Sequence, residues 1–339
     1  MYSQNNHLNL KLKVWMLSLL LLITLIILVG GLTRLTDSGL SITTWELFVG
    51  TLPPLSHEKW IDYFNLYKTI PEYNEQNFNM TLSEFKVIFW WEWAHRQLGR
   101  LIGLLVLLPM IYFTIKNGLW ILKEYLIIFL LVCFQGFIGW YMVSSGLTER
   151  VDVSHFRLSV HLFIAFIILA SLTWYYFNFR AQLSKNFFYN DLKFGSIKLF
   201  IFLVFLQIIF GALVSGLDAG RIYQTWPLMN NAYFPSDVNF NNYKEFLNLN
   251  DSSVVQFLHR NIAYLIFFVL IIMGFNIKNQ NKKNLYKPYI FLVFFVSIQI
   301  ILGVLTLITN LNIATASLHQ ISSIFLIFFT LNFYYKSIN

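Results

Sequence analysis

Eight long runs of apolar residues, separated by polar or charged connections, divide the chain. A bilayer core of ~30 Å is crossed by about 20 apolar residues in helical conformation, and each run meets or approaches that length. The runs are Val14–Gly31, Phe89–Ile115, Tyr125–Ser144, Leu158–Phe177, Ile197–Val214, Val254–Phe275, Pro288–Ile308 and Ile313–Tyr335. The pattern predicts an all-α integral membrane protein with eight transmembrane helices.

The first run follows two lysines, Lys11 and Lys13, as the core of a secretory signal peptide would. Its apolar stretch is too long for a signal core, however, and no cleavage site of small residues follows it. We therefore interpret the run as a retained first helix.

Composition agrees with a membrane protein. The 339 residues are 57% hydrophobic and only 12% charged, whereas a soluble domain carries roughly 25% charged residues. The net charge of +8 does not indicate a nucleic-acid partner, because the basic residues lie between apolar runs rather than on one face. The single cysteine, Cys133, excludes an intrachain disulfide and a metal site built from cysteines.

Most lysines and arginines lie in alternate connections. The positive-inside rule then predicts that both termini lie in the cytoplasm, most simply for a bacterial inner membrane. Two long connections, about Leu32–Lys86 and Ser215–Ser253, are predicted on the outer side. Connections of that length in a compact protein usually carry function.

Sequence blocks of the first half recur in the second half in the same order. The pairs are Asp37-Ser38-Gly39 with Asp218-Ala219-Gly220, Glu92-Trp93-Ala94-His95-Arg96 with Gln256-Phe257-Leu258-His259-Arg260, Gln135–Gly139 with Gln299–Gly303, and Ser159-Val160-His161-Leu162 with Ser317-Leu318-His319-Gln320. Four helices in each repeat give both halves the same orientation. The repeat predicts two pseudo-symmetric four-helix bundles, residues 1–180 and 181–339, joined through the basic connection Arg180–Lys198.

Four histidines occupy matching places in the two halves: His95 and His161 in the first, His259 and His319 in the second. Polar residues within membrane spans are costly and usually mark function. Paired imidazoles from two helices suit a haem iron with two axial nitrogens, whereas zinc usually takes further cysteine or carboxylate ligands. His155 points ~240° around the helix from His161, so it is a weaker ligand candidate.

Arginines accompany these histidines. Arg96, Arg100, Arg157 and Arg260 lie within one or two helical turns of a proposed ligand. Such residues either extend their side chains to the membrane interface or pair with haem propionates at the outer surface. The two interpretations are compatible for any one arginine.

One residue breaks the repeat. Glu92 lies three positions before His95, so the two share a helix face, but the equivalent residue in the second half is Gln256. Only the first site thus has a group able to carry a proton or stabilise charge beside a haem. The alternative is that Glu92 merely pairs with Arg96 or Arg100.

Taken together, these blocks resemble those of the haem A synthase family over essentially the whole chain. The resemblance rests on Gly30–Ser41, Glu92–Arg100, Arg157–Leu162, Gln256–Arg260 and Ala316–Gln320. It implies an enzyme that oxidises the C8 methyl of haem O to a formyl group by successive hydroxylations, supplying haem A to cytochrome oxidase. The absence of a cysteine pair from the first outer connection resembles the branch found in proteobacteria and mitochondria.

The same resemblance implies roles for individual residues. His259 and His319, with Arg260, would hold a haem b cofactor in the bundle of residues 181–339. His95 and His161 would surround haem O in the bundle of residues 1–180, and Glu92 would be required for turnover. The implied partners are haem O, the prenyltransferase that makes it, an electron donor and the lipid bilayer, with the haem sites toward the periplasmic side.

Two other functions fit part of the pattern. A di-haem b-type cytochrome that only transfers electrons would also need two histidine pairs, but it would contain no modified porphyrin. A transporter or haem-delivery protein can be built on parallel repeats, although its binding site usually lies near the midplane. The pigments bound to the protein distinguish all three functions.

Overall fold

A computed structural model describes residues 6–45, 49–117, 123–188, 195–239 and 241–338. Within these ranges, eight helices are long and apolar enough to cross a membrane, and each contains one of the predicted runs. The prediction of eight transmembrane helices is therefore confirmed. Parts of four predicted connections, residues 46–48, 118–122, 189–194 and 240, lie outside the described residues.

The helices of the described chain are numbered in order. They are α1 (Asn6–Leu35), α2 (His57–Tyr67), α3 (Pro71–Glu75), α4 (Leu82–Asn117), α5 (Lys123–Glu149), α6 (His155–Ala181), α7 (Gly195–Gly216), α8 (Tyr243–Phe246), α9 (Ser252–Asn279), α10 (Tyr286–Ile308) and α11 (Ile313–Ser337). The membrane-spanning helices are α1, α4, α5, α6, α7, α9, α10 and α11.

Two of the histidine-bearing helices begin at side-chain caps. The Asp251 carboxylate accepts hydrogen bonds from the backbone N–H groups of Ser253 and Val254 at the start of α9. The Asn312 side chain accepts one from Ala314 at the start of α11. Because such caps satisfy N–H groups that lack helical partners, they fix where each helix begins.

Contacts divide the chain into two compact units. One comprises Leu17–Ala165, and the other comprises the described residues of Met1–Met16 and Phe166–Asn339. The first contains His95 and His161, and the second contains His259 and His319.

The connection between α1 and α4 folds into a small aromatic cap rather than an open loop. Helix α2 buries Trp60, Phe64 and Tyr67 against Phe85 and Phe89 near the start of α4, and Tyr73 of α3 packs against the same cluster. Leu40 and Ile42 belong to the same buried cluster. The cap therefore holds the segment that contains residues 40–42 against α4, and this segment contributes to the candidate site.

A buried carboxyl group lies within the cap. The Tyr67 hydroxyl donates to Glu72 Oε1 at 3.1 Å, and Asn77 Nδ2 donates to the Tyr67 oxygen at 2.8 Å. Burial raises the pKa of Glu72 to about 8, because the charged form is poorly solvated there. Burial therefore favours the protonated, uncharged form of Glu72 inside the aromatic cap.

Hydrogen bonds to Asp237 fix the connection between α7 and α9 in the second unit. Asp237 accepts hydrogen bonds from the Tyr223 hydroxyl and the Ser253 hydroxyl, both at 2.6 Å. Although partial burial opposes it, the hydrogen bonds from Ser253 and Tyr223 hold the pKa of Asp237 below its usual range. Tyr223 is thereby anchored beside the start of α9, where its backbone carbonyl meets Gln256.

Candidate haem-binding and reaction site

Two of the predicted ligands face one another in the first unit. The imidazole rings of His95 on α4 and His161 on α6 have centroids 6.4 Å apart. Two imidazoles on opposite sides of one metal ion lie roughly 6 Å apart, given a metal–nitrogen bond of about 2 Å on each side. The separation of His95 and His161 therefore fits a haem iron between them.

The four histidines share a further property. The Nδ1 atoms of His95, His161, His259 and His319 are buried, and each lacks a hydrogen-bond partner in the described part of the chain. A buried imidazole nitrogen without a protein partner is available to a ligand. Among the described residues, no three histidine, cysteine or acidic side chains converge as a metal-binding group, so the residues present fit two-ligand haem better than zinc.

A glycine on another transmembrane helix lies against each of the four imidazoles. A Cβ atom placed on Gly30 would lie 2.8 Å from Cε1 of His95, and one placed on Gly139 would lie 2.9 Å from Cε1 of His161. In the second unit, a Cβ atom placed on Gly211 would lie 3.3 Å from Cε1 of His259, and one placed on Gly303 would lie 3.0 Å from Cε1 of His319. Real Cβ atoms rarely approach other heavy atoms this closely. The missing side chain thus makes room for the ring at all four places.

Three of these glycines follow a glutamine by one helical turn. Gln135, Gln207 and Gln299 precede Gly139, Gly211 and Gly303 by four residues, so each pair shares a helix face. The three amide groups donate to the backbone carbonyls of His161, His259 and His319 at 3.0, 3.1 and 3.1 Å. The repeated Gln-x-x-x-Gly pattern therefore fixes a histidine backbone and leaves room for its ring. The fourth glycine, Gly30 in α1, lacks this glutamine, because the residue four positions before it is Ile26.

We expect Gly139→Ala to impair the site without unfolding the protein. Alanine favours a helix more than glycine does, but its methyl group would force the His161 ring to move. Overpacking of this kind costs about 1–3 kcal/mol, which would weaken haem binding between His95 and His161 by roughly 5- to 150-fold. Gly136→Ala on the same helix is the control, because a Cβ there meets nothing within 4 Å. Equal haem affinity of the two variants, measured by absorbance titration of the purified proteins with haem, would contradict the steric role of Gly139.

Glu92 is buried, with 3% of its surface exposed, and each of its carboxylate oxygens accepts two hydrogen bonds. Arg96 Nε and Nη2 donate to Oε1 at 3.0 and 2.6 Å. The Ser41 hydroxyl and the Ile42 backbone N–H donate to Oε2 at 2.7 and 2.8 Å. The ion pair with Arg96, which was the alternative interpretation of Glu92, is therefore present. Arg96 contacts only one of the two carboxylate oxygens, however, and the other is held by Ser41 and Ile42.

At the equivalent position of the second unit, the Gln256 amide donates a hydrogen bond, whereas the Glu92 carboxylate only accepts them. Gln256 Nε2 donates to the Tyr223 carbonyl at 2.9 Å, and Gln256 Oε1 has no hydrogen-bond partner among the described residues. Arg260 donates to the carbonyls of Tyr223 and Thr225, just as Arg96 donates to those of Ile42 and Thr44. The two units thus share the arginine contacts and differ in the group beside them.

The remaining predicted residues are distributed around the first unit. Arg100 and Arg96 line a small cavity together with Thr44 and Trp93. Arg157 lies 4.4 Å from the ring centre of Tyr141 and donates to the hydroxyl groups of Ser145 and Tyr141. His155, at the start of α6, is buried with its ring 4.2 Å from that of Phe156.

Comparisons with known proteins cover nearly the whole chain. Residues 13–331 match the model of the COX15-CtaA family, described as cytochrome oxidase assembly protein. A curated relative from Pelagibacter ubique named "Heme A synthase" is 48% identical, covering 97% of both chains. Relatives of the same name from Bradyrhizobium diazoefficiens and Rickettsia bellii are 43% and 42% identical, covering 90% and 92% of this chain and 86% and 94% of their own.

Proposed function

The chain belongs to the haem A synthase family, and from that membership we propose that it oxidises the C8 methyl of haem O to a formyl group in the unit Leu17–Ala165. His95 and His161 would surround the substrate haem. His259 and His319 would hold haem b as the resident cofactor. The reaction would be two successive hydroxylations, each a two-electron oxidation of the methyl carbon by an external oxidant, and the resulting geminal diol would lose water to leave the formyl group.

A single observation carries the assignment of substrate and cofactor to the two units. Glu92, a group that can gain and lose a proton, lies one helical turn from His95, whereas the amide of Gln256 takes that place beside His259. Oxidation of a methyl group requires proton transfers, while an electron-transfer cofactor requires none from its pocket. The unit with the carboxylate is therefore the one suited to the reaction.

Some residues of the first unit orient Glu92, and others would bind the haem propionates. Arg96 fixes one oxygen of Glu92, and the other oxygen is directed by Ser41 and Ile42. Arg100 and Arg157 supply positive charge that would pair with haem propionates. Glu92 itself is only 3% exposed, and the aromatic cap holds the segment that carries Ser41 and Ile42 against it.

The second unit would bind its haem and position it. Arg260 adds a positive charge beside His259, and its contacts with Tyr223 and Thr225 hold the outer connection in place. When bound, haem b supplies one-electron redox chemistry to the reaction. The external electron donor would be a separate protein, and the prenyltransferase that makes haem O would be the source of the substrate.

The proposed location is the bacterial inner membrane, with both termini in the cytoplasm and the haem sites toward the periplasm. Support comes from the eight spanning helices and the concentration of basic residues in alternate connections.

Chromatography of extracted haems tests the proposed function. Membranes that contain this chain and a haem O source are expected to yield haem A in addition to haem b. Matched membranes without the chain should yield haem O and no haem A. A di-haem cytochrome would give only haem b from the purified protein and would leave haem O unconverted, which would overturn the proposal.

A further inference from the structure

We propose that Ser41 is a positioning residue for Glu92, whose hydroxyl group orients the carboxylate and offers a hydrogen-bond partner to both its ionised and its protonated form. This inference rests on the proposed function only in taking Glu92 as the group that exchanges protons. It assigns a role to a residue of the outer connection rather than to a haem ligand.

The two oxygens of Glu92 have chemically different partners. Oε1 contacts the guanidinium of Arg96, a cation that stays charged and can only donate. Oε2 contacts the backbone N–H of Ile42 and the hydroxyl of Ser41. Of these partners, only the hydroxyl can both donate and accept. Oε2 is therefore the oxygen at which a proton can be received with its partner still satisfied.

Ser41 has a second acceptor within reach for its own hydrogen. Its Oγ lies 3.4 Å from the backbone carbonyl oxygen of Ile88 and 2.7 Å from Glu92 Oε2. When Glu92 is ionised, the hydroxyl donates to the carboxylate. When Oε2 carries a proton, Glu92 donates to Oγ, and the hydroxyl turns its hydrogen toward Ile88.

The aromatic cap makes this arrangement rigid. Ser41 is 1% exposed and lies between Leu40 and Ile42, which are both buried in the cap cluster. An unpaired polar group in such surroundings is costly, so the hydroxyl is directed at the carboxylate rather than at solvent. Position and direction thus come from the first outer connection, not from α4.

The second unit has neither the carboxylate nor the hydroxyl, because Gln256 and Ile222 stand at the positions equivalent to Glu92 and Ser41. Asp37 and Asp218 both adopt a left-handed φ of 48°, and four residues after them come Ser41 and Ile222, respectively. Ile222 is a half-exposed apolar residue. The hydroxyl is therefore present in the unit with the carboxylate and absent from the unit with the amide, as expected if it serves Glu92 and not the fold of the repeat.

Infrared titration of the purified full-length protein tests the proposal. The C=O stretch of protonated Glu92 is identified as the band that disappears in Glu92→Gln, and its intensity is followed against pH. In Ser41→Ala the midpoint should rise by about one pH unit, because the hydrogen bond lost from the ionised carboxylate is stronger than the one lost from the protonated form. In Ser41→Thr, which keeps the hydroxyl, the midpoint should stay near that of the parent.

Ser38→Ala is the matched control. Ser38 is also fully buried in the same segment, but its hydroxyl contacts Thr36 rather than Glu92, so the parental midpoint is expected. An unchanged midpoint in Ser41→Ala, or an equal shift in both alanine variants, would overturn the proposal. If Ser41→Ala does not fold, Ser41→Cys, whose thiol is a weak donor, should shift the midpoint in the same direction, and a parental midpoint would overturn the proposal.

The acidic limb of the pH–rate profile for haem O conversion should move with the infrared midpoint. Failure of the proposed function is distinguishable, because it would appear as absence of haem A from the parent protein. The infrared titration requires no turnover, so its result stands independently.

Discussion

Replacing Glu92 with glutamine is expected to abolish haem A formation while leaving both histidine pairs intact. Glutamine has nearly the same shape as glutamate, but it cannot ionise or transfer a proton. Its NH₂ group would also face the donors that now contact the carboxylate, Arg96 on one side or Ser41 and Ile42 on the other. Loss of a positioned acid or base lowers a rate by roughly 10²–10⁴-fold. We expect a loss of that size in haem A yield.

Chromatography of haems from membranes with a haem O source measures this effect. The Glu92→Gln variant should accumulate haem O or a hydroxylated intermediate, and the purified protein should retain the absorbance of haem b. The control is Glu84→Gln on the same helix, because Glu84 is an exposed first-turn residue and should give parental yields. Haem A at the parental rate from Glu92→Gln would remove Glu92 from the mechanism.

The spanning helices were predictable because a single physical requirement determines them. A chain crossing hydrocarbon must satisfy its backbone hydrogen bonds within the helix and expose apolar side chains, so long apolar runs identify the eight spans directly. The connection between α1 and α4 was not predictable in the same way. Its short helices α2 and α3 are stabilised by aromatic packing against Phe85 and Phe89, which are distant in sequence.

The candidate site shows the same contrast. The four histidines stand out in sequence because they are polar residues in apolar helices and recur at equivalent positions, and Glu92 stands out because its equivalent is Gln256. Two of the glycines beside the histidines, Gly139 and Gly303, lie in the repeated blocks, yet their role depends on the close approach of two helices. Ser41 gave no local signal, because its contact with Glu92 joins residues 51 positions apart. Sequence periodicity predicts which face of its own helix a residue occupies, but it does not predict which residue of another segment contacts that face.

Removing one histidine from each unit should have different consequences. His319→Ala is expected to lower the haem b content of the purified protein by at least roughly tenfold, since even indirect changes at a metal site cost that much, and to abolish haem A formation. His161→Ala is expected to retain haem b but to lose haem A formation. The reason is that the first pair would hold the substrate and the second would hold the resident cofactor.

Pyridine haemochrome spectra of the purified variants, together with chromatography of extracted haems, measure both quantities. His57→Ala is the control, because His57 is exposed at the start of α2 and should leave haem b content and haem A yield unchanged. If His161→Ala and His319→Ala each removed half of a b-type haem complement, both pairs would hold permanent haems. That outcome would favour the di-haem cytochrome, because a substrate site cannot contribute a resident b-type haem to the purified protein.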